Sequence, residues 1–169
     1  DSLNPWNHEL FKNMSTSRRQ EIRYAKKKGV LTREDFNLKL FIDFYRMTMN
    51  RQNIDLEEQV VKEIRQIVEK LFLANLGRMF ISYSDGRPGS VVFIGIDHKR
   101  GYFLFGANDP TLRNEHTGSA VLWDAFKLLN AMGIEEIDLE GINSPQRGWF
   151  KLSFGGTISP YYHLSYKTA

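Results

Sequence analysis

The sequence predicts one α/β (α+β) domain whose mixed central sheet contains an antiparallel meander and carries helices on both faces. Three observations lead to this fold class. The 169 residues, 41% of them hydrophobic, suffice to bury one continuous core. Two stretches with apolar residues three or four apart precede three runs rich in β-formers. A helix, a strand, a helix and a strand are then expected in turn.

The first third of the chain is expected to begin with a basic helix. The stretch SRRQEIRYAKKK runs from Ser17, which is placed as its N-cap, to Lys28, and Gly29 follows as its terminator. Basic residues gather toward its end, as the helix dipole favours. Residues 30–32 are expected to form a brief strand.

The middle of the chain predicts two amphipathic helices and the meander. Apolar spacing is helical from Phe36 to Met47 and from Leu56 to Leu71, and Gly77 is expected to end the second helix. Turn-forming residues, at 85–89 and 98–100, separate the next three runs. These runs predict strands at 78–84, 90–97 and 101–107.

The last third predicts alternating helices and strands. Thr117 is placed to cap a helix that lasts until Gly133. A strand at 136–140, a short helix at 147–154 and a final strand at 158–166 are expected to follow.

Composition excludes several classes of site. The absence of Cys excludes a disulfide framework, thiolate metal ligands and a Cys nucleophile, and it is typical of a reducing compartment such as the cytosol. No apolar run is long enough to cross a bilayer. No phosphate-binding P-loop, dinucleotide fingerprint or Gly-x-Ser-x-Gly elbow is present. No metal site is expected, because the histidines share no ligand spacing; they are His8, His98, His116 and His163.

The positive charge is concentrated early in the chain. Residues 1–33 hold eight Lys or Arg and three acids, a balance of +5 within a total of +3. This density predicts a surface for the phosphates of a nucleotide-linked anionic substrate or of a tRNA, on Arg18, Arg19 and Arg23. A solvated helix face is the alternative.

Three local stretches resemble the FemABX-like branch of the GNAT acyltransferases. They are Ser17-Arg18-Arg19 leading to Lys28-Gly29-Val30, then Ile137-Asp138-Leu139-Glu140-Gly141, and finally Gly148-Trp149-Phe150-Lys151-Leu152-Ser153-Phe154-Gly155. The order of helices and strands is also similar to the GNAT fold.

The resemblance implies an enzyme that joins an activated acyl or aminoacyl group to an amine, in a cell-envelope, peptidoglycan or polysaccharide precursor. The implied donor is aminoacyl-tRNA or acyl-coenzyme A. Because FemABX-type proteins usually carry two GNAT-like domains, residues 1–169 are expected to be the C-terminal one, with an N-terminal GNAT-like partner domain.

The resemblance also implies site residues. The pair Phe150-Lys151 matches one that is linked to stabilising the tetrahedral intermediate, and a Lys near the start of a short helix is well placed to hold negative charge. Asp138 and Glu140 are expected on one face of their strand, near its C-terminal end, and Asp138 is the candidate to accept a proton or orient the amine. The alternative is an ion-pair cluster of Asp138 or Glu140 with Lys151 and with Arg147, which is also a candidate substrate contact.

The start of the helix after the meander resembles a coenzyme A site. Thr117-Gly118-Ser119-Ala120 lies where GNAT enzymes hold the pyrophosphate in an Arg/Gln-x-x-Gly-x-Gly/Ala motif. Glu115 replaces the first residue of that motif, and its charge would repel a diphosphate. Two alternatives therefore stay open beside the FemABX-like enzyme: a conventional acetyl-coenzyme A N-acetyltransferase and a non-catalytic GNAT-like binding module.

Overall fold

The computed structural model describes residues 5–143 and 145–166, and side chains within 9–143 and 148–166. These ranges contain six α-helices, one 3-10 helix and five strands. The helices are α1 Pro5–Asn13, α2 Thr16–Lys27, α3 Leu38–Arg51, α4 Glu58–Leu73, α5 Thr117–Ala131 and α6 Pro145–Leu152, with the 3-10 helix at Pro110–Glu115. The strands are β1 Leu31–Glu34, β2 Gly77–Ser84, β3 Arg87–Asp97, β4 Arg100–Asn108 and β5 Glu136–Asp138.

The five strands form one mixed sheet in the order β1-β2-β3-β4-β5. The first four strands pair antiparallel, whereas β4 and β5 pair parallel. The predicted fold class is therefore confirmed, including the meander.

Helices cover both faces of the sheet, as predicted. Side chains of successive strand residues point to opposite faces, so Phe80 and Met79 enter different cores. Phe80 packs with α2 and α5, together with Ile22 and Leu129. Met79 packs with α3 and α4 on the other face.

The two hairpin turns of the meander are shorter than expected. Asp85 and Gly86 alone connect β2 to β3, with φ of 48° and 75°. A two-residue hairpin loop favours positive φ at both positions, because its twist then matches that of the strands. The prediction of a five-residue turn at 85–89 was wrong, since residues 87–89 already belong to β3.

The caps of two helices also differ from the prediction. The Oγ of Ser15, rather than of Ser17, accepts the hydrogen bond from the Arg18 backbone N–H, at 3.2 Å. His116 precedes α5 in a left-handed conformation with φ of 53°, and Thr117 is the first helical residue. Gly29, with φ of 77°, follows the end of α2 as predicted.

Two further elements were not predicted correctly. Helix α1 was missed, because its apolar residues are few. The final strand expected at 158–166 does not form within the described residues, and Tyr162 and Leu164 are 85% and 91% exposed. A strand needs a neighbouring edge to satisfy its backbone hydrogen bonds, and local composition does not reveal whether an edge is present.

Candidate functional site

Strands β4 and β5 pair over a short distance and then part. Their register joins only residues 100–102 to residues 136–138, ending at Tyr102 and Asp138. β4 continues to Asn108, whereas β5 stops. The stretch 103–108 therefore extends beyond its pairing with β5. Backbone N–H and C=O groups on such an unpaired edge can bond an extended ligand in the manner of an added strand.

A β-bulge lies at the start of this free edge. Phe93 pairs with Phe105 and Ile94 pairs with Phe103, so Leu104 is an additional residue in β4. A bulge bends its strand and redirects the neighbouring backbone groups. The bend therefore falls where β4 leaves β5.

The first turn of α5 is fixed to the sheet by buried hydroxyl groups. The Oγ1 of Thr117 lies 2.8 Å from the Oγ of Ser90, and the Thr117 carbonyl accepts from Ser82 Oγ at 3.1 Å. A side chain at Gly89 would come within 2.6 Å of Thr117. Glycine at 89 thus allows the helix to start close against β3.

Several polar groups of the same turn are already bonded within the protein. Two of its N–H groups, those of Ser119 and Ala120, bond to the His116 carbonyl, both at 3.1 Å. The Ser119 hydroxyl donates to Glu21 at 2.6 Å, and Ala120 is buried. Gly118 has room around it. The carboxylate of Glu115, two residues before the helix, would repel a diphosphate at this turn.

Arg18 is a buried connector between three helices and not a surface residue. Its guanidinium is 2% exposed; it donates to Ser153 Oγ at 2.9 Å and to Glu21 and Ser119. Burial lowers the pKa of Arg18 from its usual value, and the charge of Glu21 partly offsets this. The predicted phosphate contact by Arg18 is therefore corrected: its hydrogen bonds join α2 to α5 and to the end of α6.

Aromatic rings complete the environment of Arg18. Its Cζ lies 4.3 Å from the ring centre of Phe150 and 4.7 Å from that of Phe154, within cation–π range. Phe150 and Phe154 make the expected edge-to-face contact, at 5.3 Å, but they do not share a helix face as predicted, because α6 ends at Leu152 and Phe154 lies in the turn that follows. Trp149, also expected to be a core anchor, is 57% exposed.

The other arginines predicted to contact the substrate or its phosphates lie in different environments. Arg19 is half-buried and donates to Thr16 Oγ1 at 3.3 Å, while Arg23 is exposed with its guanidinium 5.4 Å from the ring centre of Phe11. The side chain of Arg147 lies outside the described residues, although its backbone belongs to α6.

Lys151 lies in the last turn of α6, and not at the start of that helix as expected. Carbonyl groups rather than N–H groups are free at a helix C-terminus, so this end favours a cation but provides no donors for an oxyanion. The Lys151 ammonium donates to the Gly141 carbonyl at 2.8 Å and lies 5.8 Å from the ring centre of Phe103. It therefore lies beside the free stretch of β4.

Asp138 ends β5 and shapes the connection to α6. Its Oδ1 accepts from the Glu140 N–H at 2.7 Å, and Glu140 has a positive φ of 62°. The predicted strand at 136–140 therefore ends two residues early, and the two carboxylates do not share a strand face. Asp138 remains exposed at the point where β4 and β5 part.

Close backbone approaches explain two glycines of the GWFKLSFGG stretch. A side chain at Gly148 would come within 2.8 Å of the Ile142 carbonyl oxygen. Gly155 has φ of 82°, and a side chain there would come within 2.6 Å of the Asn13 backbone. The stretch therefore packs against both the β5–α6 connection and the end of α1.

Sequence reasoning missed the partners that unite these elements. Arg18 donates to Ser153, Glu21 and Ser119. Glu21 is close to Arg18 in sequence, whereas Ser119 and Ser153 lie far along the chain. The only local signal was the spacing of Arg18 and Glu21, three residues apart on one helix face.

Over residues 5–143 and 145–166, no helix has the length and apolar character needed to cross a bilayer. Among the described side chains, at 9–143 and 148–166, no group of three or more His, Asp or Glu could hold a metal ion.

Known structures share this fold at low sequence identity. FemX matches with a TM-score of 0.75 and 13% identity over 88% of this chain. A predicted acetyltransferase from Clostridium acetobutylicum, solved with acetyl-CoA, matches with a TM-score of 0.63 and 16% identity, covering 80% of this chain and 96% of that one. Glucosamine-6-phosphate N-acetyltransferase from Arabidopsis thaliana matches with a TM-score of 0.56 and 14% identity, covering 81% and 97%.

These similarities establish the fold, and the chain spans 56% of the FemX chain. No curated protein sequence matches. The model of the acetyltransferase (GNAT) domain family matches residues 12–151, which is most of the chain. The diverging β4 and β5 and the helix after the meander lie inside that match, and the chain belongs to the acetyltransferase (GNAT) domain family.

Proposed function

We propose that this domain transfers an acyl or aminoacyl group from an activated donor to an amine. The observation that supports the proposal is the parting of β4 and β5 after Tyr102 and Asp138. The free backbone edge of β4 can bond an extended donor, and the gap beside it gives an amine access to the acyl carbon.

The reaction needs few functional groups. The amine nitrogen attacks the acyl carbonyl carbon, a tetrahedral intermediate forms, and the bond to the donor's sulfur or oxygen breaks as the nitrogen loses a proton. Asp138, exposed where the strands part, is our candidate to accept that proton or to orient the amine. No covalent enzyme intermediate is required.

Lys151 is our candidate to stabilise the oxyanion. This choice is supported by its bond to the Gly141 carbonyl and by its distance of 5.8 Å from the ring centre of Phe103, which belongs to the stretch of β4 beyond β5. One such donor contributes about 10²- to 10³-fold to the rate in comparable acyl-transfer sites. Phe150 acts through packing: it lies against Arg18 and fixes the orientation of α6.

Two observations bear on the donor. The Ser119 hydroxyl in the first turn of α5 is bonded to Glu21, and Glu115 replaces the Arg or Gln of the usual pyrophosphate motif. Both disfavour coenzyme A in the usual binding mode, which favours an aminoacyl-tRNA donor. The family match and the fold shared with an acetyl-CoA complex favour the second candidate, a conventional acetyl-coenzyme A N-acetyltransferase.

The acceptor and a second GNAT-like domain are part of the same proposal. The likeness to FemX, of which this chain spans 56%, supports an amine of a peptidoglycan or polysaccharide precursor and an N-terminal GNAT-like partner domain. In that arrangement residues 1–169 form the C-terminal half.

Calorimetric titration and an acyl-transfer assay test the proposal. Binding of acetyl-coenzyme A to this chain, with release of its thiol in the presence of an amine, would support the second candidate. Transfer only from charged tRNA would support the FemABX-like enzyme. If neither donor binds, even when a GNAT-like partner domain is added, the domain is a non-catalytic binding module and the proposal fails.

A further inference from the structure

A groove lies on the α2 and α5 side of the sheet, next to the edge strand β1. It has a volume of about 530 Å³ and is bounded by the end of α2, residues 29–32 and one face of α5. We call it the α2–α5 groove. Because β1 and β5 are the opposite edges of the sheet, the groove is separate from the gap between β4 and β5.

The charged side chains of the groove are two lysines and one aspartate, Lys26, Lys127 and Asp124. Lys127 bonds to Asp124 Oδ1 at 2.6 Å, and Thr32 Oγ1 donates to Asp124 Oδ2 at 2.8 Å. Both oxygens of the carboxylate are therefore engaged. Asp124 and Lys127 are only 18% and 26% exposed, which shields this ion pair from solvent.

Lys26 leaves the groove with an excess of positive charge. Burial is the main cause that lowers the pKa of Lys26, and the positive charge of Lys127 is the second. The negative charge of Asp124 raises this pKa, but its effect is smaller. The groove thus holds two ammonium groups and one carboxylate. That carboxylate, Asp124, is already bonded to Lys127 and to the Thr32 hydroxyl. An anion between Lys26 and Lys127 would relieve their repulsion.

Apolar side chains surround this charged centre. Val30, Leu31 and Leu128 line the same groove, and Leu31 is 60% exposed. The volume falls within the range of small-molecule sites, which combine an apolar lining with a few convergent polar groups. The groove therefore fits a ligand with an anionic end and an apolar body.

We propose that the α2–α5 groove binds the phosphate group of a small organic phosphomonoester between Lys26 and Lys127, with the organic part against Leu31 and Leu128. A phosphomonoester carries close to two negative charges and three acceptor oxygens, which matches two ammonium groups. The site lies outside the proposed acyl-transfer site, so the failure of either proposal leaves the other unaffected.

The test uses phenyl phosphate as the probe, titrated into the whole chain and followed by amide chemical shifts in NMR. We expect saturable shifts centred on residues 26–32 and 124–128. Inorganic phosphate should bind the same residues more weakly, since it lacks the apolar part. Shifts that do not saturate, or that spread over all basic surfaces, would overturn the proposal.

Two substitutions sharpen the test. Lys26→Gln removes the excess charge but keeps the bonds of Asp124 to Lys127 and Thr32, so the fold is preserved, and we expect affinity to fall at least about fivefold. The control is Lys39→Gln, because Lys39 is an exposed lysine of α3 on the other sheet face, paired with Asp43 at 2.7 Å. Equal affinity in Lys26→Gln and the native chain would also refute the site.

Discussion

The Arg18 guanidinium donates to the hydroxyl of Ser153, at 2.9 Å, across 135 positions of sequence. This bond joins the basic helix α2 to the GWFKLSFGG stretch, two of the three stretches that carry the family resemblance. The remaining stretch, around Asp138, is joined to the GWFKLSFGG stretch by the bond from Lys151 to the Gly141 carbonyl. The resemblance therefore traces a connected set of contacts that orients α6 beside β4.

Arg18→Lys should destabilise the domain by about 1–3 kcal/mol, because lysine keeps the positive charge but leaves buried hydrogen bonds of this network unmade. Lysine presents its donors from a single atom and cannot span Ser153, Glu21 and Ser119 together. Urea unfolding measures the loss. Arg23→Lys, an exposed position on the same helix, serves as the control and should change stability by less than about 0.5 kcal/mol. Equal stability of the two variants would contradict a buried role for Arg18.

Gly155→Ala should cost about 2 kcal/mol or more, since alanine there adopts a left-handed φ and meets the Asn13 backbone. Its neighbour offers a matched comparison. Gly156 has open space around it, so Gly156→Ala should change the free energy of unfolding by less than about 0.5 kcal/mol. Thermal or urea unfolding of both variants checks the difference, and similar costs at both positions would count against the close approach.

Lys151→Ala should lower the rate of acyl transfer about 10²- to 10³-fold with little change in stability. The loss should appear in kcat rather than in donor affinity, because the ammonium is proposed to act on charge that develops in the transition state. Lys39→Ala, on the opposite sheet face, is the control. A full rate in Lys151→Ala, measured with the donor identified by titration, would remove Lys151 from the site.

The stability difference between the native chain and Lys26→Gln should depend on pH. The folded pKa of Lys26 lies below its unfolded value of 10.5, so the charge on Lys26 opposes folding at neutral pH. Lys26→Gln should therefore be slightly more stable at pH 7, by less than about 0.5 kcal/mol after solvent screening. This advantage should disappear as the pH rises through the folded pKa toward 10.5. Urea unfolding at several pH values measures it, and an advantage that grows with pH would contradict the direction of the shift.

The order of helices and strands could be read from the chain because it depends on local patterns. Helical spacing from Phe36 to Leu71 predicted α3 and α4, and alternating β-formers predicted the meander. Gly29 ended α2 as expected, since its positive φ is a local property of the backbone. These features need no knowledge of distant residues.

Tertiary structure decided which charges face solvent and which lie inside. By composition alone, Arg18 could not be distinguished from Arg23, yet one is buried against Ser153 and the other is exposed. The same holds for the stretch 158–166, where strand-forming residues lack a paired edge within the described residues. Burial and strand pairing depend on residues that folding brings together from distant parts of the chain. Local sequence patterns do not contain that information.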